Sequence, residues 1–223
     1  MKSLVLSVFL ASALPAQACQ LSLMFSIDTS GSINADEWDL QTGGLAQALS
    51  DPDIAFLILS QQAHLSAFQW SGDGQSSLSV PWTSIASEGD LAAFANRIAS
   101  LPRQWSNGKT AIGSAMTAML GHFQSQSHCA RKVIDLSGDG VSNDGVEMRG
   151  PKALLEANGI MLNGLAIEPY DKFAVDGFKS LDVYYRSQVI VGRGAFVEAA
   201  DGYQDYPRAI RAKLLNELVK PSS

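Results

Sequence analysis

Residues 23–38 read LMFSIDTSGSINADEW, an apolar run that ends at Asp28 and is followed at alternate positions by Ser30 and Ser32. The apolar run is typical of a buried strand, and helical spacing begins after it with Asn34 as a plausible N-cap. This arrangement has two interpretations. It is either a polar turn before a capped helix, or half of a metal site at the end of a strand.

The rest of the chain alternates between strand patterns and helix patterns. Such alternation predicts an α/β fold, a three-layer, doubly wound and mostly parallel sheet with helices on both faces. The segment 53–60 (DIAFLILS) is a short apolar run beside a predicted strand. The predicted strands are 20–28, 63–72, 131–139, 160–168 and 195–200, and the predicted helices are 34–50, 88–101, 110–123, 147–159 and 206–219.

The first 18 residues, MKSLVLSVFLASALPAQA, have the layout of a secretory signal peptide. Lys2 precedes an apolar stretch, and small residues at Ala16 and Ala18 suit cleavage before Cys19. Attachment of a lipid at Cys19 is a weaker alternative, because Ala16 stands where a lipoprotein signal usually has Leu. We therefore expect a periplasmic or secreted protein with one domain over residues 19–223.

Composition narrows the classes of partner. Apolar residues make up 46% and charged residues 17%, as in globular proteins, and the net charge is −6. Without its signal peptide the chain would carry 15 basic and 22 acidic residues. This acidic balance argues against nucleic acid and anionic membranes as partners. No stretch after the signal peptide is apolar for long enough to span a bilayer.

The chain has two cysteines, each at the start of a predicted strand. Cys19 precedes Asp28 by nine residues and Cys129 precedes Asp139 by ten. If the two strands are parallel neighbours, both sulfurs lie at the same end of the sheet, and an oxidising compartment would join them. The alternative is a pair of free, buried thiols.

Two further polar residues occupy suitable positions for a metal site. Thr110 starts a predicted helix, and Asp139 ends a predicted strand. With the Asp-x-Ser-x-Ser motif, they resemble the metal-ion-dependent adhesion site of von Willebrand factor A domains. The resemblance implies that Asp28, Ser30, Ser32, Thr110 and Asp139 hold a divalent cation.

The resemblance covers nearly the whole chain after residue 18. Segments such as VIDLSGDGVSNDG and VYYRSQVIVGRGAFVEAA look like an uncharacterised bacterial family of exported proteins built on the von Willebrand A fold, a domain of unknown function. One departure concerns the second acid, which lies in Ser-Gly-Asp-Gly instead of the common Thr-Asp-Gly. The Asp-Gly pair is retained, so Asp139 stays in the predicted site.

The resemblance implies a binding module, not an enzyme, that holds Mg²⁺ or Mn²⁺ and recognises a carboxylate on a protein partner. Hydroxyls and carboxylates suit these hard cations. Two alternatives remain open. One is a metal-dependent hydrolase, such as a phosphatase, that uses the same strand ends. The other is a structural protein whose site no longer binds metal.

The three histidines have no spacing that indicates a metal site. His64, His122 and His128 lack a His-x-x-x-His pattern, and two cysteines alone cannot complete a zinc site. We expect these histidines to be ordinary surface or capping residues.

Overall fold

The computed structural model describes residues 19–168 and 177–219. Their six strands form one sheet in the order β3-β2-β1-β4-β5-β6, in which only β3 runs antiparallel to its neighbour. The predicted signal peptide lies outside the described residues. The strands are β1 (Leu21–Asp28), β2 (His64–Trp70), β3 (Ser76–Ser84), β4 (Arg131–Gly138), β5 (Ile160–Glu168) and β6 (Val197–Asp201).

Helices cover both faces of this sheet. Buried side chains of α1, α2, α3 and α7 form one apolar cluster, and those of α4, α5 and α6 form a second cluster on the opposite face. The three-layer, doubly wound α/β architecture is therefore confirmed. No helix in the described ranges is long and apolar enough to cross a bilayer. The helices are α1 (Ala35–Leu49), α2 (Pro52–Ser60), α3 (Glu88–Ala99), α4 (Ile112–His122), α5 (Arg149–Ala157), α6 (Leu181–Tyr184) and α7 (Tyr206–Leu218).

The strand order creates a crevice at the centre of the sheet. After β1 the chain adds β2 on one side, and later it adds β4 on the other side. In open parallel sheets, ligands bind at such a switch point, beyond the carboxyl ends of the strands. The residues that follow β1 and β4 are therefore placed together at this edge.

Helix α1 supplies its own cap. The Asn34 side chain accepts a hydrogen bond from the Glu37 backbone N–H at 3.0 Å, and Glu37 Oε2 accepts one from the Asn34 N–H at 2.8 Å. This reciprocal pair is a capping box. Because Asn34 does the capping, the hydroxyls of Ser30 and Ser32 are not needed for it.

Two elements differ from what the sequence pattern indicates. The apolar run 53–60 belongs to helix α2, which begins at Pro52. Asp51 caps this helix, because its Oδ1 atom accepts hydrogen bonds from the backbone N–H groups of Asp53 and Ile54. An acidic cap followed by Pro at the first helical position is a strong helix start. The edge strand β3 has no counterpart in the sequence prediction; it contains Pro81, which an edge tolerates.

A disulfide joins the two central strands at the opposite edge of the sheet. Leu21 pairs with Arg131, so Cys19 and Cys129 each lie two residues before the paired positions. Their Cα atoms are 4.6 Å apart and their sulfurs are bonded. The two cysteines are therefore linked, in place of the alternative of two free thiols.

Candidate metal centre

Asp28 is the last residue of β1, and its side chain is fully buried. Its Oδ1 atom accepts a hydrogen bond from the Ser30 backbone N–H at 2.7 Å. Its Oδ2 atom is buried and has no hydrogen-bond partner among residues 19–168 and 177–219. A buried carboxylate oxygen without a partner is costly, because it has lost its water without gaining a donor. The Oδ2 atom is therefore available to a ligand.

A chain of hydroxyl contacts connects the end of β1 to the end of β4. The Ser30 and Ser32 hydroxyl oxygens are 3.3 Å apart, and the Ser32 hydroxyl donates to Asp139 Oδ1 at 2.7 Å. Asp139 directly follows β4 and is half-buried. Both predicted acids and both predicted serines thus lie at the same edge.

Thr110 lies at this edge too, although it does not start the helix as predicted. Helix α4 begins two residues later, and Thr110 is held instead by Asn143. The Thr110 N–H donates to Asn143 Oδ1 at 3.0 Å, and its carbonyl accepts from the Asn143 N–H at 2.8 Å. A Cβ atom placed on Gly140 would be 3.6 Å from Thr110 Oγ1, so the threonine hydroxyl adjoins the Asp139–Gly140 turn.

Arg103 fixes the backbone between the acid and the serines. Its Nη2 atom donates to the Thr29 carbonyl at 3.1 Å and to the Ser30 carbonyl at 2.7 Å. No sequence motif marks this role, because Arg103 lies in a loop far from Asp28 along the chain. It acts as a positioning residue for the loop.

Gln41 links the ends of β1 and β4 from helix α1. It is fully buried; its Oε1 atom accepts from the Ser137 hydroxyl at 3.0 Å, and its Nε2 atom donates to the Asp28 carbonyl at 3.5 Å. A buried glutamine on an amphipathic helix gives no sequence signal of its own. Its contacts hold the two strand ends in register.

Gly138, the first glycine of the Ser-Gly-Asp-Gly segment, lies where a larger residue would meet its neighbours. A Cβ atom on Gly138 would be 2.9 Å from Asp28 Oδ2 and 2.7 Å from the Tyr185 hydroxyl. Tyr185 is buried, and its hydroxyl also has no hydrogen-bond partner in the described part of the chain. Gly138 therefore leaves room for two buried oxygens to approach the end of β4.

The electrostatics of the site favour a cation. Burial, and then the nearby Asp139, raise the pKa of Asp28 to about 8 from an ordinary value of 3.8. Burial also raises the pKa of Asp139, while the hydrogen bond from Ser32 opposes that rise. Burial and the neighbouring acid make the ionised form of Asp28 costly, and a bound cation would stabilise that charge.

The donor set also fits a hard cation. Two carboxylates and three hydroxyls offer only oxygen, the ligand that Mg²⁺ and Mn²⁺ prefer. Asp28 Oδ2 supplies an oxygen that no group in residues 19–168 or 177–219 uses. The residues at this edge, Asp28, Ser30, Ser32, Thr110 and Asp139, thus match the chemistry of such an ion.

Comparison with solved structures identifies the fold. Proximal thread matrix protein 1 from the mussel byssus, described with a zinc-occupied MIDAS motif, has a TM-score of 0.68 at 16% identity, over 90% of this chain and 48% of that chain. A von Willebrand factor type A protein from Catenulispora acidiphila has a TM-score of 0.62 at 15% identity, over 91% and 43%. The pilus adhesin SpaC from Lactobacillus rhamnosus GG has a TM-score of 0.64 at 15% identity, over 89% and 30%.

This chain therefore spans about half of the mussel protein and less than a third of the adhesin. At these identities the likeness shows the fold alone. Among curated proteins, none matches the sequence. A family match covers residues 18–222 and carries the description "Protein of unknown function (DUF1194)". The chain therefore belongs to the DUF1194 family and has the fold of a von Willebrand factor A domain.

Proposed function

We propose that the protein is a binding module that holds Mg²⁺ or Mn²⁺ at the carboxyl edge of β1 and β4. The observation that carries the proposal is the buried Asp28 Oδ2 atom, which lacks a donor within the described ranges. It lies in a cluster of carboxylates and hydroxyls where a cation would replace the missing partner. Asp28, Ser30, Ser32, Thr110 and Asp139 would hold the ion.

The same site would recognise a carboxylate on a protein partner. When bound, the ion supplies an electrophilic coordination position that an acidic side chain can occupy. The exposure of Ser32 and the partial exposure of Asp139 leave one side of the cluster open to solvent. Beside it, the loop after Asp139 borders a groove of about 960 Å³ that extends along α5 and offers further contact surface.

Metal binding is tested by calorimetric titration of Mg²⁺ and Mn²⁺ into chelator-stripped protein. We expect about one ion per chain, and loss of binding in Asp28→Ala. Asp144→Ala is the matched control, because this half-buried acid contacts the Asp73 N–H and Lys109 instead of the cluster. Equal binding by Asp28→Ala, or no binding by folded wild-type protein, would contradict the proposal.

Carboxylate recognition is tested on the Mn²⁺ form by the relaxation of water protons. N-acetyl-aspartate α-amide should displace water from the bound ion and lower the relaxation enhancement. N-acetyl-asparagine α-amide, which has the same shape without a carboxylate, should not. Identical curves for the two compounds would rule out carboxylate preference.

A metal-dependent hydrolase remains the alternative. His64 begins β2 and His128 is next to Cys129, so both lie at the edge of the sheet opposite Asp28. His122 ends α4 and packs against Phe68. None of the three histidines is therefore placed to act as a base for Asp28. Metal-dependent turnover of phosphate or ester substrates that is abolished in Asp28→Ala would favour the enzyme.

We also propose that the protein is exported after removal of residues 1–18. The disulfide supports an oxidising compartment. Because the Cys19 sulfur is bonded to Cys129, it is not free to carry a lipid. Intact mass of the protein isolated from the periplasm should show a chain that begins at Cys19 and is lighter than the reduced form by two hydrogen atoms. A lipid adduct, or two thiols that alkylate freely, would contradict this.

A further inference from the structure

The amino-terminal edge of the sheet gathers a second group of metal-binding side chains. Ser22 of β1 pairs with His64 of β2, and Leu21 of β1 pairs with Arg131 of β4, so three neighbouring strands begin at this edge. One ligand atom from each of four residues lies within 4.8 Å of the other three. The four residues are Cys19, His64, His128 and Cys129.

The chemistry of this group differs from that of the carboxyl edge. Two sulfurs and two imidazoles are the ligands of tetrahedral Cys₂His₂ zinc sites. The cysteines are buried, His64 is half-buried and His128 is exposed, so an ion can reach the group from solvent. In the oxidised protein the two sulfurs share a bond, and they must separate before both can bind one ion.

The hydrogen bond of His64 prepares it as a ligand. Its Nδ1 atom lies 2.8 Å from Oε1 of the buried Gln126. An amide oxygen can only accept, so Nδ1 carries a proton, and in the neutral ring Nε2 is then the nitrogen with the lone pair. Metal-bound histidines typically donate their other ring N–H to an oxygen in this way.

His128 completes the group from the other side. Its Nε2 atom is 3.8 Å from the Cys129 sulfur, and its ring meets the His64 ring edge-on with 5.2 Å between centroids. Two imidazoles thus adjoin the disulfide although 64 positions separate them in the chain. Chance surface placement would not supply the fixed tautomer of His64.

We propose that reduction of the Cys19–Cys129 disulfide converts this edge into a Zn²⁺ site. A dithiol, such as that of a thiol–disulfide oxidoreductase, gives two electrons and two protons; the protein disulfide becomes two thiols as the dithiol becomes a disulfide. Zn²⁺ then binds both thiolates and the two neutral imidazoles, and the two thiol protons are released. The ion replaces the covalent link between β1 and β4, so the sheet edge stays closed in both redox states.

The test uses Co²⁺ as an optical probe of purified protein before and after reduction with a phosphine. Thiolate-to-cobalt charge transfer and the d–d bands of tetrahedral Co²⁺ report this site alone, because the carboxyl edge offers only oxygen. The reduced protein should bind one Co²⁺ with thiolate charge transfer, which Zn²⁺ displaces, and the oxidised protein should show no charge transfer. Asp28→Ala should leave this signal unchanged, which separates the result from the proposed Mg²⁺ site.

Histidine variants decide whether the imidazoles take part. His64→Ala and His128→Ala should each weaken binding by tenfold or more. His122→Ala is the matched control and should change nothing, because His122 lies outside the group. A folded, reduced protein without charge transfer, or a double variant of His64 and His128 with unchanged affinity, would overturn the proposal.

If reduction unfolds the metal-free protein, refolding becomes the measurement. Zn²⁺ should then restore the circular dichroism of the native fold in wild-type protein and not in the double histidine variant. Failure of Zn²⁺ to restore the fold, or equal restoration in both proteins, would likewise overturn the proposal.

Discussion

The two ends of β1 and β4 gather opposite kinds of ligand atom. At the carboxyl end, Asp28 and Asp139 meet hydroxyls, a set that suits hard cations. At the amino end, Cys19 and Cys129 meet two imidazoles, a set that suits softer metals. Because β1 and β4 are parallel, both strands start at one edge of the sheet and end at the other. Their pairing therefore brings the two cysteines together at the amino end and the two acids together at the carboxyl end.

The two ends also differ in whether their ligand atoms are already bonded within the protein. At the carboxyl end the loop is held by Arg103, and the Asp28 Oδ2 atom lacks a donor in the described ranges. At the amino end the sulfurs are already used by their own bond. One end of the sheet therefore presents a buried oxygen without a donor in the described residues, whereas the other end holds its two sulfurs in a covalent bond.

Removal of the disulfide should have the largest effect. Replacing both cysteines by Ser opens a loop of 110 residues. In the chain-entropy account this lowers the free energy of unfolding by about 4 to 5 kcal/mol, measured by urea denaturation. The Mg²⁺ affinity of the folded variant should stay within about twofold of wild type, because the carboxyl edge is unchanged. A large loss of affinity would show that the two ends are coupled.

A methyl group at Gly138 should disturb the carboxyl end next most strongly. In Gly138→Ala the new Cβ meets Asp28 Oδ2 and the Tyr185 hydroxyl, so we expect a loss of about 2 to 3 kcal/mol in stability and weaker Mg²⁺ binding. Gly43→Ala in helix α1 is the control, since no atom of the described residues, apart from the helix's own backbone, lies within 4 Å of its Cβ position. Equal melting temperatures for the two variants would contradict the steric account.

The charge of Asp28 should make the metal-free protein sensitive to pH. The pKa of Asp28 in the folded protein is about 8, above its ordinary value of 3.8. Protonation of Asp28 therefore stabilises the folded state fully below pH 3.8, and this stabilisation is lost as the pH rises through about 8. Stability in chelator should therefore fall as the pH rises between these two values. Asp28→Asn cannot ionise and should give a flatter profile. Parallel profiles for the two proteins would contradict the assignment.

Loosening the loop should have the smallest effect. Arg103→Ala removes the donors to the Thr29 and Ser30 carbonyls. The loop is then less ordered in the metal-free protein, and binding of the ion must also supply the free energy of ordering it. We expect Mg²⁺ affinity to fall by about tenfold, or about 1.4 kcal/mol. Arg97→Ala, an exposed arginine on α3, is the control. Tighter binding by Arg103→Ala would mean that its positive charge matters more than its contacts.

The sequence predicted the elements whose patterns are long or capped. The apolar runs of β1 and β4 and the cap at Asn34 lie where expected, because local spacing determines them. The run 53–60 did not reveal its helix, since a short apolar segment suits either structure. The edge strand β3 alternates weakly and contains Pro81.

The two candidate sites were predicted to different extents for a topological reason. Three residues of the carboxyl site stand in one motif from Asp28 to Ser32, so the sequence showed them together. Arg103, Gln41 and Tyr185 reach that site from distant segments. At the amino edge, His128 already adjoins Cys129 in the sequence, but His64 and Cys19 approach this pair only because three strands begin side by side.

The most direct measurement of the central claim is anomalous diffraction at the manganese edge from crystals soaked in Mn²⁺. The account predicts one strong peak at the carboxyl end of β1 and β4, among the oxygens of Asp28, Ser30, Ser32, Thr110 and Asp139. Crystals of Asp28→Ala should lack it. A peak elsewhere, or a Mn²⁺-saturated crystal without a peak at this edge, would contradict the assignment of the site.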